Sequence, residues 1–147
     1  MSEPIKCFFL RYGERVTLPL QDGVGQLSTV IAVADDGRRF DLGHRAITLP
    51  SGEVIPPAPV GAMWDCDWLR GDKMRSGLAY DRNPDGIVLA VRTPGGDWVV
   101  DGPAFTAHVE TGSWSRTGTI PNVTATPSIH IPGKYHGWLR DGYLVEC

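Results

Sequence analysis

Breaks in the chain are what most constrain its fold: 18 glycines and 12 prolines fall among 147 residues. Glycine loosens the backbone, and proline fixes φ and removes a hydrogen-bond donor, so the uninterrupted segments are short. An amphipathic helix needs a sustained 3.6-residue apolar period, which these intervals rarely allow, whereas strands of about five residues fit between them. The expected fold is therefore mainly β, with antiparallel hairpins forming a sandwich or partly open barrel of about eight to ten short strands. At most one short helix is expected, near residues 61–75, where Trp64, Trp68 and Leu69 fall at helical spacing before Gly71 and Gly77 interrupt the window.

With 41% hydrophobic and 21% charged residues, the chain can bury the core of one domain spanning residues 1–147. The stiff Pro56-Pro57-Ala58-Pro59 run suggests a subdivision into a β meander over 1–55 and a β module over 61–147. A net charge of −3 and a pI near 5.7 offer no broad basic footprint for phosphate backbones, so nucleic-acid partners are disfavoured. No stretch reaches the roughly 18 apolar residues of a membrane helix, and Phe8-Phe9-Leu10 is too short a block for a signal peptide. Cys7, Cys66 and Cys147 are an odd number without secretory context, so reduced thiols are expected.

Hairpin signals recur along the chain. Residues 5–20 read as two strands joined around Tyr12-Gly13-Glu14. The apolar run Thr29–Ala34 turns at Asp35-Asp36-Gly37 into Arg39–Leu42, and Arg45–Leu49 pairs with Glu53–Ile55 around Pro50-Ser51-Gly52. Ile87–Val91 and Trp98–Asp101 flank Pro94-Gly95-Gly96-Asp97. From there to Pro127 the sequence is rich in Thr, Gly, Ser and Pro and reads as mostly irregular. The clearest signal is the last. Asp141-Gly142 between two apolar-aromatic runs is the pattern of a two-residue hairpin, whose central positions both need positive φ.

That turn fixes a register. It sets Arg140 opposite Tyr143, Leu139 opposite Leu144, Trp138 opposite Val145, Gly137 opposite Glu146 and His136 opposite Cys147. Period-two alternation then places His136, Trp138 and Arg140 on one face with Tyr143, Val145 and Cys147. An imidazole and a thiol held about 5 Å apart could share one ion, with His108 or Cys66 completing a zinc set. Against this, zinc sites usually show ligand pairs two to four residues apart, and none occurs here. The same residues also suit an ordinary, partly wet strand end. Ser128 and His130 share a strand face, but no carboxylate is identifiable to orient the imidazole, so they read as turn and surface residues.

No phosphate loop, nucleophile elbow or His-Glu-x-x-His motif occurs. Of the five tryptophans, Trp114 is flanked only by small and polar residues, which suits an exposed position or an interface. Together with Trp138, Arg140 and Tyr143 it is a candidate binding residue, because aromatic and arginine side chains anchor interfaces.

A resemblance covers residues 84–147. It rests on Gly86–Asp101 (GIVLAVRTPGGDWVVD), Trp114-Ser-Arg-Thr-Gly118, Pro121-Asn-Val-Thr124, Pro127-Ser-Ile129 and Tyr135-His-Gly-Trp-Leu-Arg-Asp-Gly142. In this order the motifs resemble a group of bacteriophage and prophage proteins. Members of that group carry a Cys- and His-rich insert suggestive of zinc. Here the corresponding region is only Gly102–Ser113 with His108, so that site does not carry over. The resemblance implies a phage-related origin, hence the host cytoplasm or the virion, and brings no activity with it. The expectation is a non-enzymatic binding or structural module, a virion component or an accessory factor engaging a host protein, without cofactor. The alternatives are a small zinc-dependent hydrolase and a glycan-binding, tail-associated domain.

Overall fold

The computed structural model describes residues 3–19, 25–66, 87–100 and 115–147. Its strands are β1 (Ile5–Lys6), β2 (Phe8–Pro19), β3 (Gln26–Ala34), β4 (Arg39–Phe40), β5 (Ile47–Thr48), β6 (Val54–Ile55), β7 (Ala62–Asp65), β8 (Leu89–Thr93), β9 (Gly96–Val99), β10 (Ser115–Thr119), β11 (Asn122–Ile131), β12 (Tyr135–Arg140) and β13 (Tyr143–Glu146). Among the described residues there is no helix, and no sheet closes into a barrel, so the mainly β expectation holds. By packing, the chain divides into two compact units: residues 10–59, and residues 1–9 together with 60–147.

In residues 10–59, β2 pairs antiparallel with β3 and β3 with β4, while β5 and β6 form a separate two-stranded ribbon. Leu18, Ile31, Leu49 and Ile55 make the core, with Val16, Val33 and Ile47 against it. The turn after β3 lies where Asp35-Asp36-Gly37 places it: the Ala34 N–H donates to the Arg38 carbonyl, and the Asp36 carboxylate accepts from the Arg38 backbone N–H. The two-strand reading of residues 5–20 is corrected. Phe8–Pro19 is one strand, and Tyr12-Gly13-Glu14 is a bulge in it, where the pairing with β3 shifts register between Tyr12 and Arg15. A Cβ on Gly13 would lie 2.8 Å from Val33 Cγ2, so this glycine marks a close approach of strands and not a turn.

The other unit contains a five-stranded antiparallel sheet, ordered β1-β13-β12-β11-β10, and a second sheet in which Phe8–Phe9 run parallel to β7, followed by β8 and β9. Its core draws on both sheets: Val123, Ala125, Ile129, Tyr135, Leu139 and Leu144 from the first, Met63, Leu89 and Val91 from the second. This is the arrangement of a sandwich. Every residue of β8 is buried.

Two local readings change here. Residues 62–65, proposed as the start of a short helix, are strand β7. Ala62, Met63 and Trp64 are all buried, as in a strand covered on both faces; Trp68 and Leu69, which complete the helical spacing, lie with the rest of residues 67–75 outside the described residues. The stretch before Pro127, read as irregular, contains the hairpin β10–β11, which turns at a cis Ile120-Pro121 peptide. Its alternation is real but quiet. Val123 and Ala125 are buried, while Thr117 and Thr119 face solvent, and threonine in a strand is easily taken for loop sequence.

Candidate functional site

The terminal hairpin forms as its turn dictates. Asp141 and Gly142 have φ of 47° and 80°, and the pairs Gly137–Glu146, Trp138–Val145, Leu139–Leu144 and Arg140–Tyr143 are those expected. The Cys147 N–H donates to the His136 carbonyl at 3.0 Å and extends the register by one step. The turn is also built into the sheet. The Gly142 N–H donates to the Val123 carbonyl, the Cys7 N–H donates to the Gly142 carbonyl, and the Asp141 N–H donates to Thr124 Oγ1 at 2.8 Å.

Alternation sorts the side chains of this sheet. Tyr135, Gly137 and Leu139 of β12 and Leu144 of β13 face the core; His136, Trp138, Arg140, Tyr143, Val145 and Cys147 face outward. Neighbouring strands extend the outer face, because Lys6 pairs with Tyr143 and His130 pairs with His136. Three rows result. Lys6, Tyr143 and Arg140 form the first, Val145 and Trp138 the second, and Cys147, His136 and His130 the third.

The first two rows make an aromatic and cationic surface. The Arg140 guanidinium lies 4.6 Å from the centre of the Trp138 ring, within cation–π range. Beside it a cleft of about 530 Å³ is lined by Pro4, Lys6, Asn122, Arg140, Asp141, Tyr143 and Val145. The third row borders a second cleft of about 400 Å³, whose walls include Lys134, Tyr135 and Glu146. His130 and His136 have ring centroids 4.9 Å apart, and Ser128 Oγ is 3.2 Å from His136 Nε2. Burial, with the Glu146 carboxylate and Cys147 nearby, pushes the Tyr135 phenol above its ordinary pKa, so it stands neutral at the base of this row.

The sequence-derived candidates are thus placed as follows. Trp138, Arg140 and Tyr143 share one face. Trp114 and His108 lie outside the described residues. His136 and Cys147 are opposite neighbours, as the register requires, whereas Cys66 is 3% exposed at the end of β7, its backbone N–H bonded to Val88. Among the described residues no three His, Cys, Asp or Glu side chains converge on one point, so no closed zinc set forms there. Sequence reasoning missed Lys6 and the pairing of His130 with His136. The second was within reach, since Pro132-Gly133 is a turn signal, and the Lys134 N–H closes that turn on the Ile131 carbonyl. Lys6 reaches the site only through a contact across the whole chain length, which no local pattern announces.

One further arginine is structural. Arg92, 5% exposed, gives Nε to Asp97 Oδ1 at 2.8 Å and NH2 to Oδ2 at 3.2 Å, and lies 5.2 Å from the Trp64 ring centre. It closes the β8–β9 hairpin from inside. Comparison with protein-family models, with curated proteins and with solved structures finds no match to this chain.

Proposed function

We propose that this chain is a non-enzymatic binding module that engages a protein partner through the outer face of its five-stranded sheet. The observation that carries the reading is the Arg140–Trp138 pair, flanked by Tyr143 and Lys6 on an open face. Tryptophan, tyrosine and arginine are enriched among the residues that dominate interface energies: the aromatic rings combine large area with few rotors to freeze, and the guanidinium presents a planar fork of donors. Two cations beside the rings favour a partner segment carrying carboxylates. The sequence resemblance of residues 84–147 supports a phage or prophage origin, which would put that partner in the host cytoplasm or in the virion.

Affinity capture from infected or lysogenic cells tests this, with wild-type protein beside Trp138→Ala and Arg140→Ala. A protein retained by wild type and lost from both variants, at unchanged melting temperature, supports the face. Capture of the same proteins by all three would overturn it.

A further inference from the structure

The third row of the outer face carries chemistry that the binding reading does not use. His130 and His136 sit directly opposite on adjacent antiparallel strands, and neither side chain is part of the core. From these placements we infer that His130 and His136 form a two-imidazole chelate for a divalent transition metal of the zinc or copper type, open to solvent at the cleft that they line.

Ring spacing is the first support. Zinc–nitrogen bonds of about 2.0–2.1 Å, carried on by about 1.1 Å to each ring centre and opened to about a tetrahedral angle, hold two centroids about 5 Å apart. The observed separation is 4.9 Å with the rings tilted by 46°, so a bound metal requires little movement of either side chain. The second support is Ser128, with Oγ 3.2 Å from His136 Nε2. In the tautomer whose Nε2–H donates a hydrogen bond to that hydroxyl, Nδ1 is left as the metal donor, the outer-shell arrangement that fixes tautomer and ring orientation in metal-binding histidines. A third is the cleft of about 400 Å³ beside the pair, which leaves room for water or a ligand on the remaining coordination positions. Lys134 and Glu146 line the same cleft, one opposing and one favouring a cation.

This assignment differs from the His136–Cys147 pair that the hairpin register alone suggests. The three side chains form a row, with His136 in the middle, so His130 and Cys147 lie on opposite sides of it. A row cannot bring all three onto one ion without rotation, which accords with the absence of a converging triad among the described residues. The His–His contact is the one already formed.

The test uses the full chain, stripped with chelator and dialysed, then titrated with zinc alone by calorimetry. One equivalent bound by wild type is expected, with His130→Asn and His136→Asn each weakening affinity by about tenfold or more, and Cys147→Ser within about threefold of wild type. Because both histidines are exposed, the variants should melt like wild type without metal. Zinc should then raise the melting temperature of wild type and Cys147→Ser but not of the histidine variants. Copper(II) should in addition quench the fluorescence of Trp138, two residues along the same face, and Trp138→Phe identifies that component. Less than about a tenth of an equivalent of zinc, undiminished binding by His130→Asn, or binding that needs Cys147 in its place would each overturn the assignment.

Discussion

Arg39 and Arg140, one in each unit, use their charge in opposite ways. In residues 10–59, Arg39 reaches both oxygens of Glu53, at 2.7 and 2.8 Å, and also Glu14; Arg38 meets Asp36 at 2.6 Å and Arg11 meets Asp35 at 3.7 Å. On the outer face of the five-stranded sheet, Arg140 lies over Trp138 and, among the described residues, joins no ion pair. Among the described residues Lys6, on the same face, joins none either. Charges already neutralised by neighbours have little left to offer a partner, whereas a guanidinium held over a ring keeps its donors available for a carboxylate. The contrast teaches where to look for function: at cations that no carboxylate among the described residues neutralises.

Arg92 can break this comparison, because it belongs to the same unit as Arg140 yet is buried against Asp97. Replacing it by Met keeps most of its volume and removes the charge. The loss should be about 3 kcal/mol, towards the lower end for a broken buried pair, since the abandoned Asp97 is partly exposed and can rehydrate. Chemical denaturation measures it. A loss below about 1 kcal/mol would mean that burial does not distinguish the two arginines.

A comparable effect should follow from pH. Burial pushes the Cys7 thiol from 9.0 up to about 12. With its folded pKa above its unfolded value, Cys7 contributes stability that is complete below about pH 9 and disappears as pH rises towards 12, amounting to about 4 kcal/mol at most. Tyr135 shifts the same way and adds to the alkaline loss. Denaturation midpoints between pH 8 and 11 should fall in wild type and fall less in Cys7→Ala. Equal slopes would remove Cys7 from the account. Thiol labelling gives a companion contrast, because Cys147 is exposed and should react while Cys7 and Cys66 stay protected.

Next in size is Gly142→Val. The position has φ of 80°, and a Cβ there would approach the Pro121 carbonyl at 2.9 Å and Asn122 Oδ1 at 3.0 Å. Backbone strain and crowding together should cost about 2 to 4 kcal/mol. The same change at Gly37, with φ of 91° and nothing within 4 Å, should cost only the strain. Equal losses at the two sites would show that the sheet around Gly142 yields freely.

These turns also explain how much could be read from the sequence. Where glycine sits at the centre of a two-residue loop, as at Asp141-Gly142, the turn chemistry fixes pairing and register together, and the outer face of β12 and β13 follows by alternation. Gly13 has the same local look but marks a bulge, because its cause is the Val33 side chain on another strand. The strand around Trp64 was missed for a related reason: buried on both faces, Ala62–Trp64 lacks a period-two signature. The site was half legible on the same grounds. Trp138, Arg140 and Tyr143 belong to one hairpin and His130 joins them through the adjacent Pro132-Gly133 turn, while Lys6 arrives through a pairing with the other end of the chain.

The smallest effect on stability carries the most weight for the comparison. Arg140→Ala removes an exposed side chain that lies over the Trp138 ring, so stability should change by about 0.5 kcal/mol or less. Arg39→Ala should also leave the midpoint nearly unmoved, and what change there is should vanish in moderate salt, since its pairs with Glu53 and Glu14 are solvent-facing. Stability therefore does not separate the two substitutions, but partner capture should. Losing Arg39 exposes two carboxylates and takes nothing from the outer face of the five-stranded sheet, so capture should persist at wild-type yield. Losing Arg140 strips the cation from the ring at the centre of the proposed surface, where truncation of an anchor commonly costs 2 kcal/mol or more, about thirtyfold in affinity. Side-by-side capture with the two variants, both folded, reads this directly. Equal loss of partner from both would mean that the surface charge of the protein, and not this sheet face, holds the partner.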